Sequence, residues 1–321
     1  MTDAASPSRA GDAAASLGAD AGIAPPSGAQ AEDALFADAP LATTERAAKC
    51  PLSMAAHDRV VCLLELRFAE DAAAAKVALE LYNRFGILAG TDTDHVMNGG
   101  YRGMLHLVPA PPVGADRRHI AWVLAASNDF EAFFSGLEQR GASAVHYRWH
   151  PITLRYMRSV NARTPSAYAL DWDIAYNLSG SLHVSADAVR ETMFHEIFHL
   201  NDGAHHEWSI TALGLVFDSI VRKCGVVTAC LTPFSPNSTM VKNGTYYSFQ
   251  PGNGVREYAA ELAVRYFREH RAILRKETPL ARFKCGPSSN ARAWELFAQE
   301  FFGGFDLVPA CGDGGAAALT K

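Results

Sequence analysis

Between Ala186 and Asp202, apolar Val189, Met193, Ile197 and Leu200 recur at steps of three and four, the spacing that gives an α-helix one buried stripe. Ser185 is a good N-cap, and Asp187 lies in the first turn, at the positive end of the helix dipole. Gly203 stands where a left-handed residue would close the helix. A second helix is predicted over 68–85, where an alanine run leads into Val77, Leu79, Leu81 and Tyr82 and Gly86 follows. The glycine-rich stretch from Gly86 to Gly103 reads as a loop. Met104 to Val108 reads as a strand stopped by Pro109, Pro111 and Pro112, and 119–126 as a second strand, apolar enough to be central. Ser127 or Asn128 then caps a helix that runs to Arg140, and 146–160 alternates enough to be a third strand. Ser181 to Ser185 reads as a short strand feeding the helix over 186–202, with Leu182, His183 and Val184 as an edge to which an extended peptide can add.

Beyond Gly203 the period is helical: 208–224 ending at Gly225, a loop holding Pro233, Pro236, Asn243 and Gly244, then 255–273 and 290–302. The predicted fold class is α+β, a small mixed sheet with an edge strand beside helix 186–202, followed by a mainly helical C-terminal subdomain. Residues 1–45 are rich in Ala, Gly, Ser, Pro and Asp and read as a disordered tail or linker, because so few large apolar groups cannot offset the entropy of ordering them. Residues 46–202 then form an N-terminal α+β subdomain ending in the 186–202 helix, and 203–321 a helical C-terminal subdomain.

Composition narrows the function classes. The chain of 321 residues is 49% hydrophobic, enough for a sizeable core. Its net charge of -5 supplies no basic field for nucleic acid, and no apolar run approaches the ~20 residues of a membrane span. The beginning, Met1-Thr2-Asp3, shows no signal peptide. The six cysteines point to an oxidising compartment all the same: they contain no C-x-x-C pair and fall into sequential pairs, Cys50 with Cys62, Cys224 with Cys230, and Cys285 with Cys311. A secreted or periplasmic location is expected on that ground.

The chemistry lies inside the 186–202 helix, as His195-Glu196-Ile197-Phe198-His199. Positions i and i+4 stack on one face, so both imidazoles point the same way, as a single Zn²⁺ requires of two nitrogen ligands. Glu196 is placed to act as general base. A catalytic zinc site takes three protein ligands and leaves one position open. Two residues compete for the third place. Glu257 lies on a later helix with Glu261 four residues on, a suitable hydrogen-bond partner for a ligating histidine. His205 gives H-E-x-x-H-x-x-D-x-x-H, close to the metzincin signature, with Asp202 where that family has glycine and Met240 downstream as a counterpart of its Met-turn.

His195 to Asp202, an apolar helix and then Glu257-Tyr-Ala-Ala-Glu261 resemble the C-terminal protease domain of anthrax lethal factor and its relatives, gluzincin-type zinc metallopeptidases. The resemblance covers about residues 175–275. It implies a zincin-like fold, one zinc ion held by His195, His199 and Glu257, Glu196 as base, and Asp202 and Glu261 supporting the ligands. That family also carries a tyrosine shortly before its third ligand to stabilise the oxyanion. Gln250 occupies that place here, and Tyr247 and Tyr246 lie slightly earlier, within reach if the Pro251–Gly254 turn absorbs the offset. The expected activity is a zinc-dependent endopeptidase acting on a protein or peptide. The alternatives are a metzincin-like protease using His205 and a non-catalytic zinc-helix binding module closed by a fourth ligand, His205 or Glu207.

Overall fold

The computed structural model describes residues 25–99, 103–241, 243–278 and 281–312. Four helices come first: α1 (Gly28–Leu35), α2 (Thr43–Lys49), α3 (Ala56–Arg67) and α4 (Ala72–Phe85). Strands β1 (Leu88–Thr91), β2 (His95–Asn98) and β3 (Met104–Pro109), the long helix α5 (Arg117–Gln139), and strands β4 (Thr153–Ser159), β5 (Ala167–Leu170) and β6 (Asp173–Asn177) follow. The rest is helical: α6 (Ala186–Ala204), α7 (Gly214–Cys224), α8 (Thr228–Leu231), α9 (Val255–Leu274) and α10 (Ser288–Phe302). The class is α+β, as the periodicity predicts.

The sheet runs β2-β3-β4-β6-β5, with β1 also on β4. It is mixed: β4 pairs in parallel with β1 and β6 and antiparallel with β3. Central β4 buries Leu154, Tyr156 and Met157 completely. The chain divides into two compact units. One takes the described residues up to Ala121 with His150–Tyr168 and Asp173–His183, and the other takes Trp122–Trp149, Ala169–Trp172 and the described residues from Val184 on. Helix α6 therefore shares a unit with α9, whereas the sequence reading set them on either side of a boundary after Asp202.

Several expectations are corrected. Residues 28–35 of the expected tail are a helix and 43–45 begin another, while residues 1–24 lie outside the described part. A capping box between Ser27 and Gln30 starts α1, which buries Ala31, Ala34 and Leu35. The reason is contact at close range. Gly90 sits inside wholly buried β1, and a Cβ there would meet the Ala34 carbonyl at 2.4 Å. That glycine, which reads as a loop signal, is what lets a helix of small residues lie against the strand. The predicted loop from Gly86 to Gly103 thus contains β1 and β2.

The expected strand over 119–126 is the first part of α5. Ile120, Val123, Ala126, Phe130, Phe133 and Leu137 form its buried stripe, at helical spacing that the intervening Ala121, Trp122 and Leu124 conceal. Ser127 does not cap a new helix, since its hydroxyl donates back to the Val123 carbonyl at 3.0 Å. Within 146–160, strand geometry is confined to β4. The expected edge strand at Leu182, His183 and Val184 is a turn followed by a bend. His183 is buried, with Nδ1 2.8 Å from the Asn177 carbonyl and its ring stacked on Tyr176.

The three disulfides form as paired in the sequence: Cys50–Cys62, Cys224–Cys230 and Cys285–Cys311. Such bonds belong to a non-cytoplasmic compartment. No helix among the described residues is long and apolar enough to cross a membrane.

His119 and His183 are both buried, and burial lowers each to about 4. An unfolded chain takes up their protons near ~6.5, so between those values it binds protons the folded chain does not. Stability conferred by the neutral rings should therefore fall as pH drops from ~6.5 toward 4, by on the order of 3 kcal/mol for deeply buried His183. Urea midpoints measured from pH 7 to 4.5 should show this slope, flattened in His183→Gln. An unchanged slope in the variant would contradict it.

Candidate metal centre

Helix α6 begins where Ser185 accepts a hydrogen bond from the Ala188 amide. One side of it is core: Phe194 stacks on Tyr147 and on Phe267 of α9. Two contacts fix its position from outside. The Tyr147 hydroxyl donates to the Phe194 carbonyl at 3.1 Å. The Asn201 amide accepts from the Arg148 amide at 2.8 Å and donates to the Arg148 carbonyl at 2.7 Å. Neither contact is announced by any motif. The helix runs through Gly203 to Ala204, so Gly203 is not its left-handed end; His206 and Glu207 take positive φ instead.

On the opposite face the ring nitrogens of His195 and His199 converge, Nε2 to Nε2, at 3.2 Å. The Gly254 N-cap opens α9 so that Glu257 lies in its first turn. Glu257 Oε2 comes 3.0 Å from His195 Nε2 and 3.7 Å from His199 Nε2. Three donor atoms meeting this closely could hold a metal ion, and among the described residues His195, His199 and Glu257 are the one such group of His, Cys, Asp or Glu. The separations of 3.0, 3.2 and 3.7 Å bracket the edge of about 3.3–3.4 Å of a tetrahedron with ~2.0–2.1 Å metal–ligand bonds. Two imidazoles and a carboxylate are also a chemically apt donor set for a divalent transition ion.

Behind this face, Glu261 Oε1 lies 3.5 Å from His195 Nδ1, one turn along α9 from Glu257. Burial opposes charge on His195, but hydrogen bonds to Glu257 and Glu261 outweigh it and hold its pKa well above the ordinary imidazole value. Burial likewise opposes charge on Glu257, and the two histidines override it, holding the carboxyl well below its usual range. Glu196 is buried beside them. Desolvation raises its pKa, partly offset by the two imidazoles.

The other candidates separate cleanly. Tyr247 belongs to the site: its ring centroid is 6.0 Å from that of His195. Burial, then the Glu257 and Glu196 carboxylates, raise its pKa, so it remains an O–H donor. Tyr246 faces elsewhere, donating to Thr232 Oγ1 at 3.1 Å. His205 Nδ1 lies 2.6 Å from Glu300 Oε1. Asp202 supports no histidine: its two oxygens accept from the amide and hydroxyl of Ser209, both at 2.7 Å, at the start of a π-helical turn, Ser209–Leu213. Glu207 pairs with Arg256 at 2.5 Å. Met240, half exposed, bridges Tyr246.

No protein-family model, curated protein or solved structure matches the chain. The reading of the site therefore rests on its own geometry. One residue missed from the sequence matters to it. Asn253 donates to the Tyr247 carbonyl at 2.9 Å, fixing the tyrosine's backbone just before α9. The Asn-Gly pair at 253–254 signals only a turn.

Proposed function

We propose that the protein is a zinc-dependent endopeptidase with a zincin-like, gluzincin-type site, working in a secreted or periplasmic setting. The observation that carries the reading is the convergence of His195, His199 and Glu257 with a buried carboxylate, Glu196, directly beside the first histidine. His195, His199 and Glu257 hold the ion. Zinc supplies Lewis acidity, polarising a carbonyl and lowering the pKa of water toward ~7.

Every other contribution comes from side chains. Glu196 takes a proton from the attacking water and delivers it to the leaving amine; its raised pKa makes it a better proton carrier than an exposed carboxylate. Tyr247, protonated and fixed by Asn253, donates a hydrogen bond to the oxyanion that develops on the substrate carbonyl. Glu261 orients His195 through Nδ1, leaving Nε2 for the ion. The two residues that would close a structural site, His205 and Glu207, are engaged by Glu300 and Arg256, which favours an open fourth position and hence catalysis over a binding module.

The zinc-loaded protein should cleave members of an unbiased peptide library, lose that activity to a chelator and regain it with added zinc. Products identified by mass spectrometry would give the cleaved bonds. Zinc-loaded protein that leaves the library intact would contradict the proposal.

A further inference from the structure

Tyr247 is not held by the metal-bearing helices alone. Its amide donates to the Thr239 carbonyl at 2.8 Å, and Met240 and Tyr246 bridge, so it ends a small antiparallel turn. That turn leans on the segment that follows α7. Thr245 Oγ1 lies 3.4 Å from Thr228 Oγ1, and the Tyr246 hydroxyl donates to Thr232 Oγ1 at 3.1 Å. Thr228 opens α8, a single helical turn too short to be stable alone. What fastens it is covalent: Cys230 within α8 is bonded to Cys224, the last residue of α7. Helix α7 is itself joined to the tyrosine segment, since Phe217 stacks on Phe249 at 5.8 Å.

We infer that the Cys224–Cys230 disulfide is a positioning element for Tyr247, holding α8 as the rest against which residues 243–250 set the phenol in the site. The inference rests on the catalytic reading of Tyr247 given above. The disulfide touches no reacting group. It acts through two threonines and the backbone they support, whereas the metal donors His195, His199 and Glu257 are carried by α6 and α9.

The test uses the full chain loaded with zinc and compares Tyr247→Phe, the double variant Cys224→Ser/Cys230→Ser, and their combination. A second pair, Thr228→Val/Thr232→Val, keeps the disulfide and removes the contacts. Tyr247→Phe should lower kcat about 10²-fold with KM little changed. The cysteine pair should lower kcat at least about tenfold, leave zinc affinity within about threefold, and have little further effect once Tyr247 is Phe, since residues acting through one another are not additive. Amide exchange over 243–250 should quicken in both the cysteine and the threonine variants while α6 and α9 keep their protection. Full activity in the cysteine variant, losses that multiply with Tyr247→Phe, or unchanged exchange over 243–250 would each overturn the inference. If the wild-type protein cleaves no peptide, the endopeptidase reading fails, and the exchange and zinc measurements still decide whether the disulfide sets this turn.

Discussion

Glu196→Gln is expected to lower peptide hydrolysis by about 10²–10⁴-fold, the usual worth of a positioned acid–base group, while zinc remains bound. The substitution keeps the size and hydrogen-bonding shape of the side chain and removes only its capacity to carry a proton. Glu196 is buried next to His195 and His199, yet its side chain is not among the three converging donors. Metal content should therefore equal that of the wild type. Measuring both quantities on one preparation separates base from ligand: loss of zinc together with activity would make Glu196 a ligand, and retained turnover would remove it from the mechanism.

The second large effect concerns the third donor. A four-ligand zinc site contributes about 10–16 kcal/mol, roughly 3–4 kcal/mol per ligand, so Glu257→Ala should weaken zinc binding by on the order of 10²–10³-fold. Its loss also strands His195 beside Glu261 alone, removing the 3.0 Å partner that orders the pair. Activity at limiting zinc should disappear. His205→Ala should leave zinc affinity unchanged and cost only a contact with Glu300 and packing on Phe301. A titration with a competing chelator reads both variants, and the reverse order of effects would install His205 as the ligand in the metzincin manner.

Much of this site is legible in the sequence because its first part is local. Two histidines four apart in a capped amphipathic segment meet wherever the helix is placed. Glu257 is a different matter. Its place beside them depends on how α9 crosses α6, which no periodicity encodes; spacing leaves His205 as its rival, and the resemblance to the lethal-factor domain is what ranks Glu257 first. Asp202 shows the limit of the same resemblance: in this chain its carboxylate is consumed by Ser209 at the π-helical turn.

The fold was less legible where burial hides the period. In α5, apolar residues on the flanks of the buried stripe imitate a central strand. Helix α1 was hidden by composition, because Ala31 and Ala34 look like linker residues until Gly90 is known to lie beneath them. The sequence beside α6 misled in the other direction. Leu182 and Val184 alternate with His183 as in a strand, but His183 turns inward to the Asn177 carbonyl and leaves the two apolar side chains exposed. Strand addition at that point is therefore not part of the proposed mechanism.

The central claim is that one divalent ion sits among His195, His199 and Glu257. Diffraction from zinc-soaked crystals, recorded on both sides of the zinc absorption edge, tests it most directly. A single anomalous peak within bonding distance of His195 Nε2, His199 Nε2 and Glu257 Oε2, with no fourth protein ligand, is the expected result. A peak ligated by His205 or Glu207, or no peak between the two imidazoles, would contradict it.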